Sequence, residues 1–139
     1  MAVQIDITYQ GTLSCTATHG PSKQTLVTDA PVDNGGKGTA FSPTDLVAAA
    51  LGTCMATIMG LVAQRSQLDI AGLKVQVTKE MAAEPARRIG ALQVRLVFPP
   101  GKSFSAADRT KLEAAAKACP VKQSLHPDVE LSFEFVYPK

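Results

Sequence analysis

Seventeen consecutive residues, Leu46 to Val62, carry no charge. They follow a helix-start signal. Ser42 is a capping residue, Pro43 suits the first helical position, and Asp45 places a carboxylate where the helix dipole favours it. The pattern predicts a helix from Ser42 to Arg65 that is apolar on every side. Such a helix either crosses a membrane or is buried by protein. The run is near the lower limit of a membrane span. It is rich in Ala, Thr and Gly, and it lacks an aromatic belt and a flanking basic cluster. We therefore read it as buried. A chain of 139 residues has length for one domain, 1–139, with a real core. It has little to spare for surrounding a helix on all sides, so the first inference is an intimate homodimer.

Composition narrows the function. A net charge of +2, no Lys/Arg block and no interleaving of aromatic with basic residues argue against nucleic acid and anionic membranes as partners. The N-terminus MAVQIDITYQ alternates and lacks the apolar region of an export signal. The expectation is a cytoplasmic protein. Three cysteines, Cys15, Cys54 and Cys119, are an odd count without an export signal, which disfavours a disulfide framework. With no CxxC or HxxxH spacing, no structural zinc site is expected.

Along the chain, Val3–Gln10 alternates as a half-buried strand, Leu13–Thr18 follows after Gly11, and Gln24–Thr28 is a third candidate. Asp29–Ser42, with Gly35, Gly36 and Gly38, is a loop feeding the long helix. It is either a flexible connector or a close backbone approach to a ligand. It is not a phosphate loop, because the GKS/T element is missing. Leu73–Met81 and Ile89–Phe98 alternate around a turn containing Pro85, a second hairpin. Ser105 caps a helix over Ala106–Ala118, with Asp108 completing a variant capping box. Pro120 stops it. A short helical turn, Val121–Leu125, precedes a last strand, Val129–Tyr137. The order βββ–α–ββ–α–β is an α+β domain.

Cys54 has two readings. On an apolar helix it is a small core residue. Yet Gly52, Thr53, Ala56, Thr57 and Gly60 leave space around it, as a thiol admitting a substrate requires. Cys119 precedes a proline and so lies at a helix boundary. If Pro120 begins the next turn, Cys119 is its N-cap, a position that favours a thiolate. One cysteine on each of the two helices forms a candidate pair. A thiolate attacks a peroxide bond, becomes a sulfenic acid, and condenses with the second thiol. Cys15 reads as core. His19 and His126 sit in turns. No GxSxG elbow supports a hydrolase.

SPTDLVAAALGTC at the helix start, the GGKGTAFSP lead-in and AAAKACPVKQSL near the end resemble the OsmC/Ohr family, osmotically inducible protein C and organic hydroperoxide resistance protein. The likeness covers nearly the whole chain and is nearer the broad OsmC-like branch than authentic Ohr. It implies an interlocked α+β homodimer, with two central helices back to back and a wrapping sheet from both chains. It implies active sites at the subunit interface, with Cys54 the peroxidatic and Cys119 the resolving cysteine. Organic hydroperoxides are then the substrates and an external dithiol the reductant, with no metal or organic cofactor. Relatives with high activity carry a glutamate directly after the helix-start proline and an arginine after the second strand. Here Thr44 follows the proline, Asp45 comes one residue later, and no arginine precedes Arg65. Thr44, Asp45, His19 and Lys23 are the candidate assisting groups. The alternative is an OsmC-like protein that binds a small hydrophobic ligand, or serves the stress response, with little peroxide turnover.

Overall fold

The computed structural model describes residues 1–139. The chain forms two compact units, 1–47 and 48–139, with one long helix running from the first into the second.

The first unit is an antiparallel sheet, β1 (Ile5–Gly11), β2 (Ser14–His19) and β3 (Thr25–Asp29), in that order. Leu13, expected to open β2, instead sits in the hairpin turn. Thr12 and Leu13 both have positive φ, 53° and 64°, the hand that matches the twist of paired strands. The period-2 pattern of β1 sets its faces. Ile7 pairs with Ala17, Tyr9 with Cys15, and Ala17 with Leu26, so the apolar side chains share one face. Ile5, Ile7, Tyr9 and Leu26 on that face remain 44–66% exposed.

The loop after β3 is more ordered than its composition predicts. It contains a 3-10 turn, Val32–Asn34, and Phe41 forms a parallel bridge with Thr28. A Cβ on Gly36 would lie 1.8 Å from the Ala30 carbonyl oxygen, so this glycine lets the loop close on its own backbone. Asp29, only 6% exposed, holds the closure. Its carboxylate accepts from the Thr39 amide (3.0 Å) and hydroxyl (2.6 Å). The Thr39 hydroxyl bond, above all, holds the Asp29 carboxyl below its usual range.

The long helix, α1 (Pro43–Arg65), starts on a reciprocal capping box. The Asp45 amide donates to Ser42 Oγ at 3.1 Å, and the Ser42 amide donates to Asp45 Oδ2 at 2.9 Å, satisfying two donors that a helix start leaves unpaired.

The second unit holds β4 (Lys74–Ala82), β5 (Arg88–Val97), α2 (Ala106–Lys117), α3 (Pro120–Ser124) and β6 (Glu130–Val136). β4 and β5 form the expected hairpin. β6 pairs parallel to β5, as a connection through helices allows. Leu92, Val94 and Leu96 of β5 point inward onto Leu51, Met55 and Met59 of α1 and Leu112 of α2 in one buried cluster. Gly52 sets the helix-to-sheet distance: a Cβ there would stand 2.8 Å from a Val77 methyl and 3.2 Å from a Val75 methyl. α1 is the one helix long and apolar enough to cross a membrane, and one face of it packs on β4. The fold is α+β in the expected order, with the turn expected at Val121–Leu125 appearing as α3.

Candidate active site

Cys54 lies midway along α1 and Cys119 at the junction of α2 and α3. The fold brings them together: the Cys54 thiol is close enough to influence the titration of the Cys119 thiol. Local sequence explains each placement. Cys54 sits beside the stripe of α1 buried by Leu51, Met55 and Met59, and is itself half-buried. Cys119 is fully buried, at 0% exposure. Pro120 ends α2 and occupies the first position of α3, which makes Cys119 the N-cap of α3.

The two thiols differ electrostatically. Cys119 Sγ accepts the Lys122 amide at 3.4 Å, which favours a thiolate. Burial acts the other way and is the larger effect, and the neighbouring Cys54 adds to it, so the Cys119 thiol is pushed up from the ordinary cysteine range. The N-cap position therefore does not make Cys119 a thiolate. It is a buried neutral thiol beside a more accessible one.

The other candidates lie in the first unit. Thr44 Oγ1 is 3.2 Å from Ser42 Oγ, and Asp45 closes the capping box. His19 Nδ1 pairs with Ser22 Oγ at 2.6 Å and accepts the Ser22 amide at 3.3 Å. Lys23 follows in the same exposed turn at φ 61°. Each of these local partners is a residue of the same turn or cap. The Lys122 amide contact at Cys119 is the N-cap bond that the Cys-Pro dipeptide signals. Unforeseen is a cluster that fastens the C-terminal end. Tyr137 stacks on Phe98 (4.3 Å between centroids), carries Arg109 over its ring at 4.2 Å, and donates its hydroxyl to Glu113 Oε2 at 3.0 Å.

Cys15 lies on β2 opposite Tyr9 and Thr28, and all three cysteines are free thiols. No group of three His, Cys, Asp or Glu side chains is arranged to hold a metal ion.

Comparison with known proteins bears on this arrangement. The family model described as OsmC-like protein matches residues 36–134. A crystal structure from Psychrobacter arcticus 273-4, of a candidate osmotic stress induced and detoxification response protein, is 42% identical. It covers 94% of this chain and 93% of that one, with a TM-score of 0.88. An organic hydroperoxide resistance protein OsmC from Legionella pneumophila is 14% identical, over 98% of this chain and 97% of that one, with a TM-score of 0.77. An organic hydroperoxide resistance protein from Elizabethkingia anophelis is 13% identical, over 99% of this chain and 96% of that one, with a TM-score of 0.77. The last two share the fold. No curated protein matches the chain.

Proposed function

The chain belongs to the OsmC-like protein family, and from that premise we propose that it is a thiol-dependent peroxidase acting on organic hydroperoxides. The carrying observation is the meeting of two thiols from different helices, one half-buried and one fully buried. The Cys54 thiolate attacks the distal peroxide oxygen. The O–O bond breaks, and the leaving alkoxide takes a proton to become the alcohol. Cys54 is left as a sulfenic acid. The Cys119 thiol attacks the Cys54 sulfur, water leaves, and a disulfide remains. An external dithiol restores both thiols. The accessible cysteine meets the oxidant, and the buried one waits as a neutral thiol. Thr44, Asp45, His19 and Lys23 are proposed to assist, and no metal or organic cofactor takes part.

We propose a soluble cytoplasmic homodimer. Two surfaces support it. One is the exposed apolar face of the β1–β3 sheet. The other is the outward stripe of α1, where the Thr53 and Thr57 hydroxyls bond to the helix's own carbonyls of Ala49 and Thr53, each at 2.8 Å. With those hydroxyls satisfied, the stripe Thr53, Thr57, Gly60 and Leu61 is apolar and low, suited to close helix packing. The site then completes at the interface between copies.

The test is consumption of cumene hydroperoxide with a dithiol reductant, comparing wild type with Cys54→Ser. The reading requires turnover in the wild type and its loss in the variant; equal rates refute it. One observation favours a second reading, the binding of a small hydrophobic ligand. A cleft of about 350 Å³ is lined by Ala56, Gly60, Ala63, Leu68, Ile70 and Leu73 together with Gln64 and Asp69, about half a turn around α1 from Cys54. Organic extraction and mass spectrometry of the purified protein test it, and an empty cleft with fast turnover removes it.

A further inference from the structure

The two sulfurs of a Cys54–Cys119 disulfide are not equivalent to an incoming thiol. We infer that the external dithiol attacks at Cys54, with Cys119 as the leaving thiol. This rests on the two-cysteine cycle proposed above.

Thiol–disulfide exchange needs the attacking sulfur in line with the bond it breaks, so access decides which sulfur is attacked. Cys119 has no exposed surface and belongs to the same buried cluster as Leu112 and Ala116. That cover comes from its own chain. A second copy can add to it and cannot remove it. Cys54 is half-buried, and a peroxidase cycle requires it to admit a hydroperoxide. The same opening admits a thiolate.

On pKa alone Cys119 is the poorer leaving thiol, because burial raises it and a thiol of lower pKa leaves faster. The Lys122 amide offsets part of that, and access sets the direction. As the S–S bond breaks, its electron pair goes to Cys119 Sγ, the sulfur that accepts the Lys122 amide. This contact receives the developing charge, and a proton from solvent then restores the thiol. Burial raises the Cys119 pKa, so the restored group is neutral and does not attack back as a thiolate. The reductant is now joined to Cys54 by a mixed disulfide. Its second thiol attacks its own bound sulfur, closes a ring disulfide and releases the Cys54 thiolate. A dithiol finishes within one molecule, whereas a monothiol must wait for a second collision.

The test uses the wild-type protein. One equivalent of cumene hydroperoxide is added, and peptide mass spectrometry establishes the Cys54–Cys119 disulfide. A brief pulse of N-acetylcysteine follows, then acid quench, maleimide labelling of the free thiols, Cys15 among them, and peptide mapping. The inference predicts N-acetylcysteine on Cys54 and maleimide on Cys119, in about tenfold or greater excess over the reverse pattern, because access governs the exchange. The reverse pattern, or equal amounts of both, overturns the inference and leaves the peroxidase cycle standing. Failure to form the disulfide overturns the two-cysteine cycle and this inference together.

Discussion

Cys54 and Cys119 carry the same functional group in different surroundings, and the difference assigns their work. Cys54→Ser should abolish hydroperoxide turnover. Cys119→Ser should allow a first turnover and then stall, with Cys54 trapped as sulfenic acid and over-oxidised to the sulfinic acid under excess peroxide. Mass spectrometry of the two variants after peroxide separates these outcomes. Cys119 also gives a pH signature. Burial raises its pKa in the folded chain, so above the ordinary thiol pKa of about 8.5 the unfolded chain releases a proton that the folded chain keeps. Stability must then fall as pH rises through that value towards the folded pKa. Urea titrations at neutral and alkaline pH should show this slope in the wild type. They should show a shallower one in Cys119→Ala, alongside the general loss from opening a cavity in the core.

At the scale of elements, the start of α1 and its seat on β4 are where single changes have calculable effects. Ser42→Ala removes one side of the capping box and should cost about 0.5–2 kcal/mol, read as a lower urea midpoint. Gly52→Ala would gain about 1 kcal/mol of helix propensity. Its new methyl would meet the stiff branches of Val75 and Val77, at an overpacking cost of about 1–3 kcal/mol. The expected outcome is a net loss of up to about 2 kcal/mol, in contrast to Gly60→Ala, whose Cβ would meet nothing within 4 Å. These elements were largely readable in the sequence because their signals are local. The uncharged run and its cap located α1 to within a residue, and alternation located β4, β5 and β6. Three features escaped because their causes lie far apart in the chain or in backbone shape. The parallel pairing of β6 with β5 is set by the crossover through α2 and α3, not by either strand's pattern. Leu13 looks like strand but takes the left-handed turn that joins two twisted strands. The ordering of the loop by Asp29 and Thr39 depends on a contact across ten positions. At the candidate site, the cysteine pair and the capping role of Cys119 were legible. The balance between cap and burial was not, because burial belongs to the folded core.

At the scale of the molecule, the apolar face of the β1–β3 sheet is an unmet demand. Ile7 is 66% exposed, and exposed apolar patches of this kind mark interaction surfaces. The wild type should run as a dimer in size-exclusion chromatography with light scattering, and Ile7→Asp should shift it to monomer while circular dichroism retains α+β signal. A wild-type monomer at micromolar concentration would contradict the proposed assembly. The central claim is that one hydroperoxide consumes the two thiols on the helices. Its most direct test is a single-turnover thiol count on the reductant-free wild type. With one equivalent of cumene hydroperoxide, two of the three free cysteines should disappear together, the chain mass should fall by two hydrogens, and Cys15 should remain free. A chain that keeps all three thiols, or gains oxygen while Cys119 stays free, would contradict the account.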